Sequence, residues 1–177
     1  MFEDYLKDSK YFYEQASSEE GDEDLSRRYF RAAVFCAASA MEAFINFIGS
    51  TIETAGTLEP NEIAYINDQV LEISPSKGLV ESKMKFNPID GKIKFIIKRL
   101  NVDVSFESDV NWNHFKDFKK LRDRLVHPKD TEDEISVTEY QSKLKYGLNA
   151  NIYLINKIAA KVFTKGLRKS LLDLTID

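Results

Sequence analysis

The run from Tyr29 to Ile52, YFRAAVFCAASAMEAFINFIGSTI, restricts the fold more than any other feature of this chain. It holds no proline, and no glycine before Gly49. Its alanines, Ala32, Ala33, Ala37, Ala38, Ala40 and Ala43, are strong helix formers whose small side chains let neighbouring helices come close. The pattern predicts a central, buried helix ending near Gly49 or Gly56. The longest apolar stretch, Ala32 to Met41, is too short to cross a bilayer and stops at Glu42. The N-terminal MFEDYLKDSK is acidic where a secretion signal is basic. The expectation is a soluble, cytoplasmic protein with no membrane contact.

The rest of the chain is read around that helix. Phe2, Leu6 and Tyr13 predict a first helix of about four turns. SSEEGDED at 17–24 reads as an acidic loop, with Asp24 or Ser26 as N-cap of the central helix. Residues 59–73 show an amphipathic pattern stopped at Ser74-Pro75, followed by the basic segment SKGLVESKMKF and a turn from Asn87-Pro88 to Gly91. GKIKFIIKRL predicts a helix, NVDVSFESD a loop, and 109–127 a helix stopped by Pro128. Lys129 to Glu134 reads as a polar connection. Leu144, Leu148, Ile152, Ile155, Ala159 and Val162 mark a last long helix over 136–163. The tail LRKSLLDLTID reads as a short helix or as a segment that packs on a partner. With strand signals nearly absent, the fold class is all-α: an antiparallel helical bundle with additional short helices. The 177 residues suit a single domain, 1–177, with its core over about 25–165.

Composition narrows the chemistry. At 43% hydrophobic the chain can bury a core, so disorder is excluded. One cysteine excludes a disulfide framework, and two histidines leave little for a multi-histidine metal centre. There is no Gly-rich phosphate loop, HExxH or GxSxG, so no cofactor and no metal is expected. The net charge of −4 hides an asymmetry: residues 1–24 carry nine acids and two lysines, while 77–124 carry twelve basic and seven acidic residues. An overall acidic balance therefore does not exclude an anionic partner, because fields are local.

The helix over 109–127 carries the candidate chemistry. Trp112, Phe115, Phe118, Leu121, Leu125 and Val126 fall on one face, and Arg122 lies in the middle of it. A buried unpaired guanidinium is expensive, so Arg122 must meet a carboxylate, an interface, or an anion entering a cleft. His127, held out of helical conformation by Pro128, places an accessible imidazole beside the last turn. Arg124, Lys120 and Asn113 point the other way. On the central helix, Ser39, Glu42 and Asn46 form a polar strip on an apolar surface. Glu42 either orients Arg122 or forms a structural ion pair. His114 reads as structural or surface, and Cys36 as a small core residue. Tyr11, Phe12, Tyr13, Tyr29, Phe30 and Phe35 offer stacking surfaces, though helical spacing fits them to a core.

The string W-x2-F-x2-F-x2-L-R-D-x-L-V-H-P, Trp112 to Pro128, resembles the signature helix of the HEPN superfamily, the higher eukaryotes and prokaryotes nucleotide-binding domain. That pattern is Arg, a polar residue, then His four to six positions after the Arg, here Arg122, Asp123 and His127. AASAMEAFIN, Ala37 to Asn46, is similar to the family's early helix, in which a Glu and an Asn interrupt an apolar run. The resemblance covers about residues 25–165. It implies a helical bundle that forms a homodimer and brings two Arg-x4-His motifs into one cleft. It also implies a metal-independent ribonuclease acting on RNA, a toxin or defence effector held by an antitoxin or other regulatory protein. Arg122 and His127 would be the catalytic pair, with Asp123, Glu42 and Asn46 supporting. Asp123 departs from the commoner Asn and sets a negative charge beside the site, which Arg124 would offset. One toxin–antitoxin branch has a modified Tyr two places after the His; Lys129 stands there instead. Two other readings remain open: a non-catalytic HEPN-like nucleotide-binding or protein-interaction domain, and a plain helical scaffold with no nucleic-acid role.

Overall fold

The computed structural model describes residues 1–128 and 134–177. Its elements are α1 (Phe2–Ser18), α2 (Glu23–Thr54), α3 (Pro60–Ile66), β1 (Gln69–Ser74), β2 (Leu79–Met84), α4 (Ile89–Arg99), α5 (Val110–Val126), α6 (Val137–Val162) and α7 (Lys169–Leu172). The architecture is mainly helical, with one small antiparallel hairpin. Four long helices, α1, α2, α5 and α6, make the bundle.

The alanine-rich run forms the centre of α2. Ala33, Ala37 and Ala40 are fully buried with Phe30, Phe44, Ile45 and Ile48. By length and hydropathy α2 could cross a membrane, but half of its most apolar window is buried within the fold. Its N-cap is Asp22, which accepts the Leu25 N–H at 2.9 Å, and not Asp24 or Ser26. Ser26 is buried and donates to the Ala16 carbonyl at 2.9 Å. Since α1 runs on to Ser18, the acidic loop shrinks to 19–22. Glu23 and Asp24 fall in the first turn of α2, where the helix dipole favours them. The helix ends before Gly56, whose φ of +68° lets the chain turn away.

Contacts between helices set their directions. Ser9 donates to Ala33 and Phe2 meets Phe44 edge-on, so α1 and α2 run antiparallel. Arg124 pairs with Glu139 and Tyr153 donates to Asp109, so α5 and α6 also run antiparallel. Phe30 stacks on Tyr140, and Asn151 donates to Ala37 across the core. The tail packs on its own chain: Leu171 of α7 is buried, and Asn149 exchanges hydrogen bonds with Ile176 at 2.8 Å each way.

The hairpin corrects the reading of 59–73 as one helical pattern and of the fold as purely helical. Ile63, Ile66, Val70 and Ile73 do follow helical spacing. The helix nevertheless stops at Ile66, because Asp68 adopts φ +55° and its carboxylate is claimed elsewhere. Lys92, only 5% exposed, reaches Asp68 Oδ2 at 2.6 Å, and the Asn87 N–H donates to Oδ1 at 2.8 Å. This clamp reverses the chain into β1. The loop Pro75–Gly78 closes the hairpin, with Gly78 at φ +66°. The segment 101–109 is a loop, as its pattern predicts. Most of the predicted polar connection from Lys129 to Glu134, including Lys129, lies outside the described residues.

Candidate functional site

The site grows from the way α5 is fixed at its start. Asp109 caps the helix by accepting the N–H groups of Asn111 and Trp112 at 2.8 and 3.1 Å. Its other carboxylate oxygen accepts the Tyr153 hydroxyl from α6 at 2.9 Å. Burial, then the hydrogen bond and charge of Asp109, push the Tyr153 phenol up to about 12. Trp112, Phe115, Phe118 and Leu121 are buried. Phe118 rests against Gly147 of α6, where a Cβ would overlap the ring.

Beyond Leu121 the stripe leaves the core. Leu125 is half-buried, and Val126 and His127 are exposed. Arg122 therefore stands at the edge of the packed face, its side chain 31% exposed, and not deep within it. It finds the carboxylate partner that its place required. Nη2 lies 3.5 Å from Glu42 Oε1 on α2, and Nη1 lies 3.3 Å from Asp123 Oδ1. Asp123 is shared with Lys119 at 2.8 Å, and Lys119 lies 3.9 Å from Asp90 on α4.

These charges rim a cavity of about 180 Å³. Met41, Phe115 and Phe118 form its floor, and Pro88 and Ile89 one wall. Glu42, Lys119, Arg122 and Asp123 supply alternating charge at the mouth. Such a rim takes an anion only if the guanidinium exchanges partners. Glu42 is half exposed, and exposed ion pairs contribute only about 0–1 kcal/mol, so that exchange is cheap.

Three of the five expected residues, Glu42, Arg122 and Asp123, are thus brought together. His127 is not among them. It is the C-cap of α5, with φ −128° and ψ 62°, and its N–H donates to the Asp123 carbonyl at 2.9 Å. It is not among the residues that line the cavity, and it stands five residues beyond Arg122, past the end of the helix. Asn46 is also apart. It lines a second groove of about 650 Å³ between α2 and the chain's N-terminus, beside Ser39, Phe2 and Tyr5. Glu42 borders both spaces.

Several expectations need correction. Arg124 does not stand free to offset Asp123, because its guanidinium is 2.5 Å from Glu139, which Lys143 also holds at 2.6 Å. Cys36 is half-buried and not deep in the core; burial and then the charge of Asp8 push its thiol up, which keeps it neutral. His114, by contrast, fits its structural reading and stacks on Tyr146 at 4.7 Å. Tyr13 and Phe30 are core, while Tyr11 and Phe35 are exposed. Lys119, Asp90 and the Pro88–Ile89 wall escaped sequence reasoning. Lys119 was findable, since Lys119 and Asp123 are an i,i+4 pair. Asp90 and the wall were not, because they arrive from α4 through the hairpin connection.

The chain matches no protein-family model, no curated protein and no solved structure.

Proposed function

We propose that this protein is a metal-independent endoribonuclease of the HEPN type, working as a homodimer on RNA. One observation carries the reading: Arg122, near the C-terminal end of α5, presents its guanidinium at the mouth of an apolar-floored cavity with only part-exposed carboxylates as partners. The Arg-x4-His spacing of Arg122 and His127 supports it.

The chemistry follows from the groups. RNA carries its own nucleophile, the 2′-OH. The hydroxyl oxygen attacks phosphorus, the bond from phosphorus to the 5′-oxygen breaks, and a 2′,3′-cyclic phosphate and a 5′-hydroxyl remain. An imidazole, with an ordinary pKa of about 6.5, takes the hydroxyl proton near neutral pH. A second imidazole returns a proton to the leaving oxygen. The guanidinium fork of Arg122 holds two phosphate oxygens as negative charge builds. One chain offers His127 outside its own Arg122 cavity, so the base and acid are the His127 residues of two copies. Glu42 acts as a positioning residue for Arg122. A toxin or defence role, with an antitoxin or other regulatory partner, belongs to the same proposal.

The test is RNA cleavage in EDTA by the wild type, His127→Ala and Arg122→Lys, with the oligomeric state measured on the same samples. The expected result is cyclic-phosphate ends from the wild type and a loss of about 100-fold or more in His127→Ala. Arg122→Lys keeps the charge, loses the fork, and also falls. DNA, lacking the 2′-OH, is not cut; cleavage of DNA sinks the mechanism.

The network Glu42–Arg122–Asp123–Lys119 favours a second reading. In it the guanidinium is structural and the fold is a non-catalytic nucleotide-binding or protein-interaction domain. A folded dimer that cleaves no RNA decides for this one.

A further inference from the structure

The hairpin sits outside the helical core and leaves apolar side chains in water. Ile73 is 77% exposed, Val80 61% and Met84 78%. All three lie on one face, since Ile73 pairs with Val80 and Met84 with Gln69 in the β1–β2 register. The sheet has only these two strands, so the outer edge of β2 is unpaired among the described residues.

The backbone dictates which groups that edge offers. The Lys85 N–H donates to the Asp68 carbonyl at 2.8 Å, so Asp68 and Lys85 are a hydrogen-bonded pair. Alternation along an antiparallel ladder then turns the N–H and C=O groups of Lys83 and Glu81 inward. Those of Val80, Ser82 and Met84 point outward.

We propose that this edge pairs with the same edge of a second copy of the chain, β2 against β2, antiparallel about a two-fold axis at Ser82. Outward groups must meet outward groups, which leaves three compact registers. Val80 opposite Ser82 sets Glu81 against its own copy. Ser82 opposite Met84 sets Lys83 against its own copy. Like charges directly opposed are destabilising. The remaining register sets Ser82 opposite Ser82 and Val80 opposite Met84, and there Glu81 faces Lys83 twice by symmetry. These two contacts fall in non-hydrogen-bonded pairs, where side chains approach most closely.

A second feature favours the same register. Within one hairpin Glu72 and Glu81 are directly paired. Lys83 at 2.5 Å from Glu72 and Lys77 at 2.6 Å from Glu81 soften that repulsion. A second copy's Lys83 beside Glu81 softens it further. The same pairing joins Ile73, Val80 and Met84 of both copies into one apolar strip. β1 offers no such match: an antiparallel self-pairing centred on Leu71 sets Val70 against Glu72. The β2 edge is thus a self-complementary interface, and this inference does not rest on the ribonuclease reading.

The test is sedimentation of the full chain across a concentration series, without RNA. Wild type should dimerise, and Glu81→Lys and Lys83→Glu should each weaken the dimer by about ten-fold or more. The double exchange E81K/K83E restores opposite charges across the two-fold and should recover the dimer. Ser82→Pro removes an outward N–H that the hairpin ladder does not use, so it should abolish the dimer while circular dichroism stays unchanged. A wild type still monomeric at about 100 μM overturns the proposal. So does a dimer that Glu81→Lys, Lys83→Glu and Ser82→Pro all leave intact, because another surface then holds it. RNA cleavage is not a readout; a dimer held by another surface leaves the ribonuclease reading standing, whereas a wild type that stays monomeric counts against its homodimer as well.

Discussion

Arg122 shows how a single residue can be found by cost. A guanidinium on an apolar stripe had to be paired, and it is paired, by a carboxylate 80 positions away on α2. Glu42 is one of three polar residues on that strip; only Glu42 reaches Arg122, while Ser39 and Asn46 line another groove. Because the pair is part-exposed, Glu42→Gln should change stability by less than about 0.5 kcal/mol in chemical denaturation. If Glu42 positions Arg122, the same variant lowers kcat for RNA cleavage; if Glu42 only competes with the phosphate for the guanidinium, KM falls and kcat holds. A large stability loss would mark Glu42 as structural instead. His127 was legible as accessible from the Pro128 that follows it. That its ring stays outside the Arg122 cavity was not, because the distance depends on how α5 meets α2 and α4.

At the scale of elements, the site depends on two joints between α5 and α6. Asp109 serves as cap and as acceptor for Tyr153, so Asp109→Ala loses both. It should cost about 1–2 kcal/mol by thermal or urea unfolding. Gly147 is the second joint, where α6 comes close enough to touch Phe118 in the cavity floor. Gly147→Ala should destabilise by about 1–3 kcal/mol and disturb the cavity, although alanine is the better helix former. An unchanged melting temperature in Gly147→Ala would mean the helices separate freely there. The hairpin is the element that the sequence pattern hides. Helical spacing of Ile63, Ile66, Val70 and Ile73 concealed it, and the ion pair of Asp68 with Lys92 decided against the helix.

For the whole molecule, two carboxylates tie separate parts together and make stability depend on acid. Burial of Asp68 opposes its charge, but the Lys92 hydrogen bond, the Asn87 N–H and the Lys92 charge outweigh it and hold the group below its ordinary 3.8. Lys143 first, with Arg124, holds Glu139 below its ordinary 4.5 against partial burial. A carboxylate depressed on folding binds fewer protons in the native state. Its contribution is therefore complete above the ordinary value and is lost as pH falls through the folded one. Stability should be level from neutral pH down to about 5 and decline below about 4.5. Asp68→Asn and Glu139→Gln together should flatten that decline in unfolding curves at pH 3–7, and an equally steep decline in the double variant would rule these groups out.

Much of the architecture could be read directly from the chain. Long helices follow from local periodicity and propensity, and the run from Tyr29 to Ile52 had to be buried because no exposed helix tolerates so much apolar surface. The stripe from Trp112 to Leu121 likewise announced which face of α5 packs. Both are one-dimensional signals, written within a few turns of helix. Tertiary structure alone decided the rest: that Arg122 meets Glu42, that Asp90 comes to the Lys119–Asp123 pair, that His127 stays outside, and that Asp68 ends α3 to start a strand. Each of these depends on groups far apart in the chain. Their energies exist only once the helices have packed, so no local pattern could encode them.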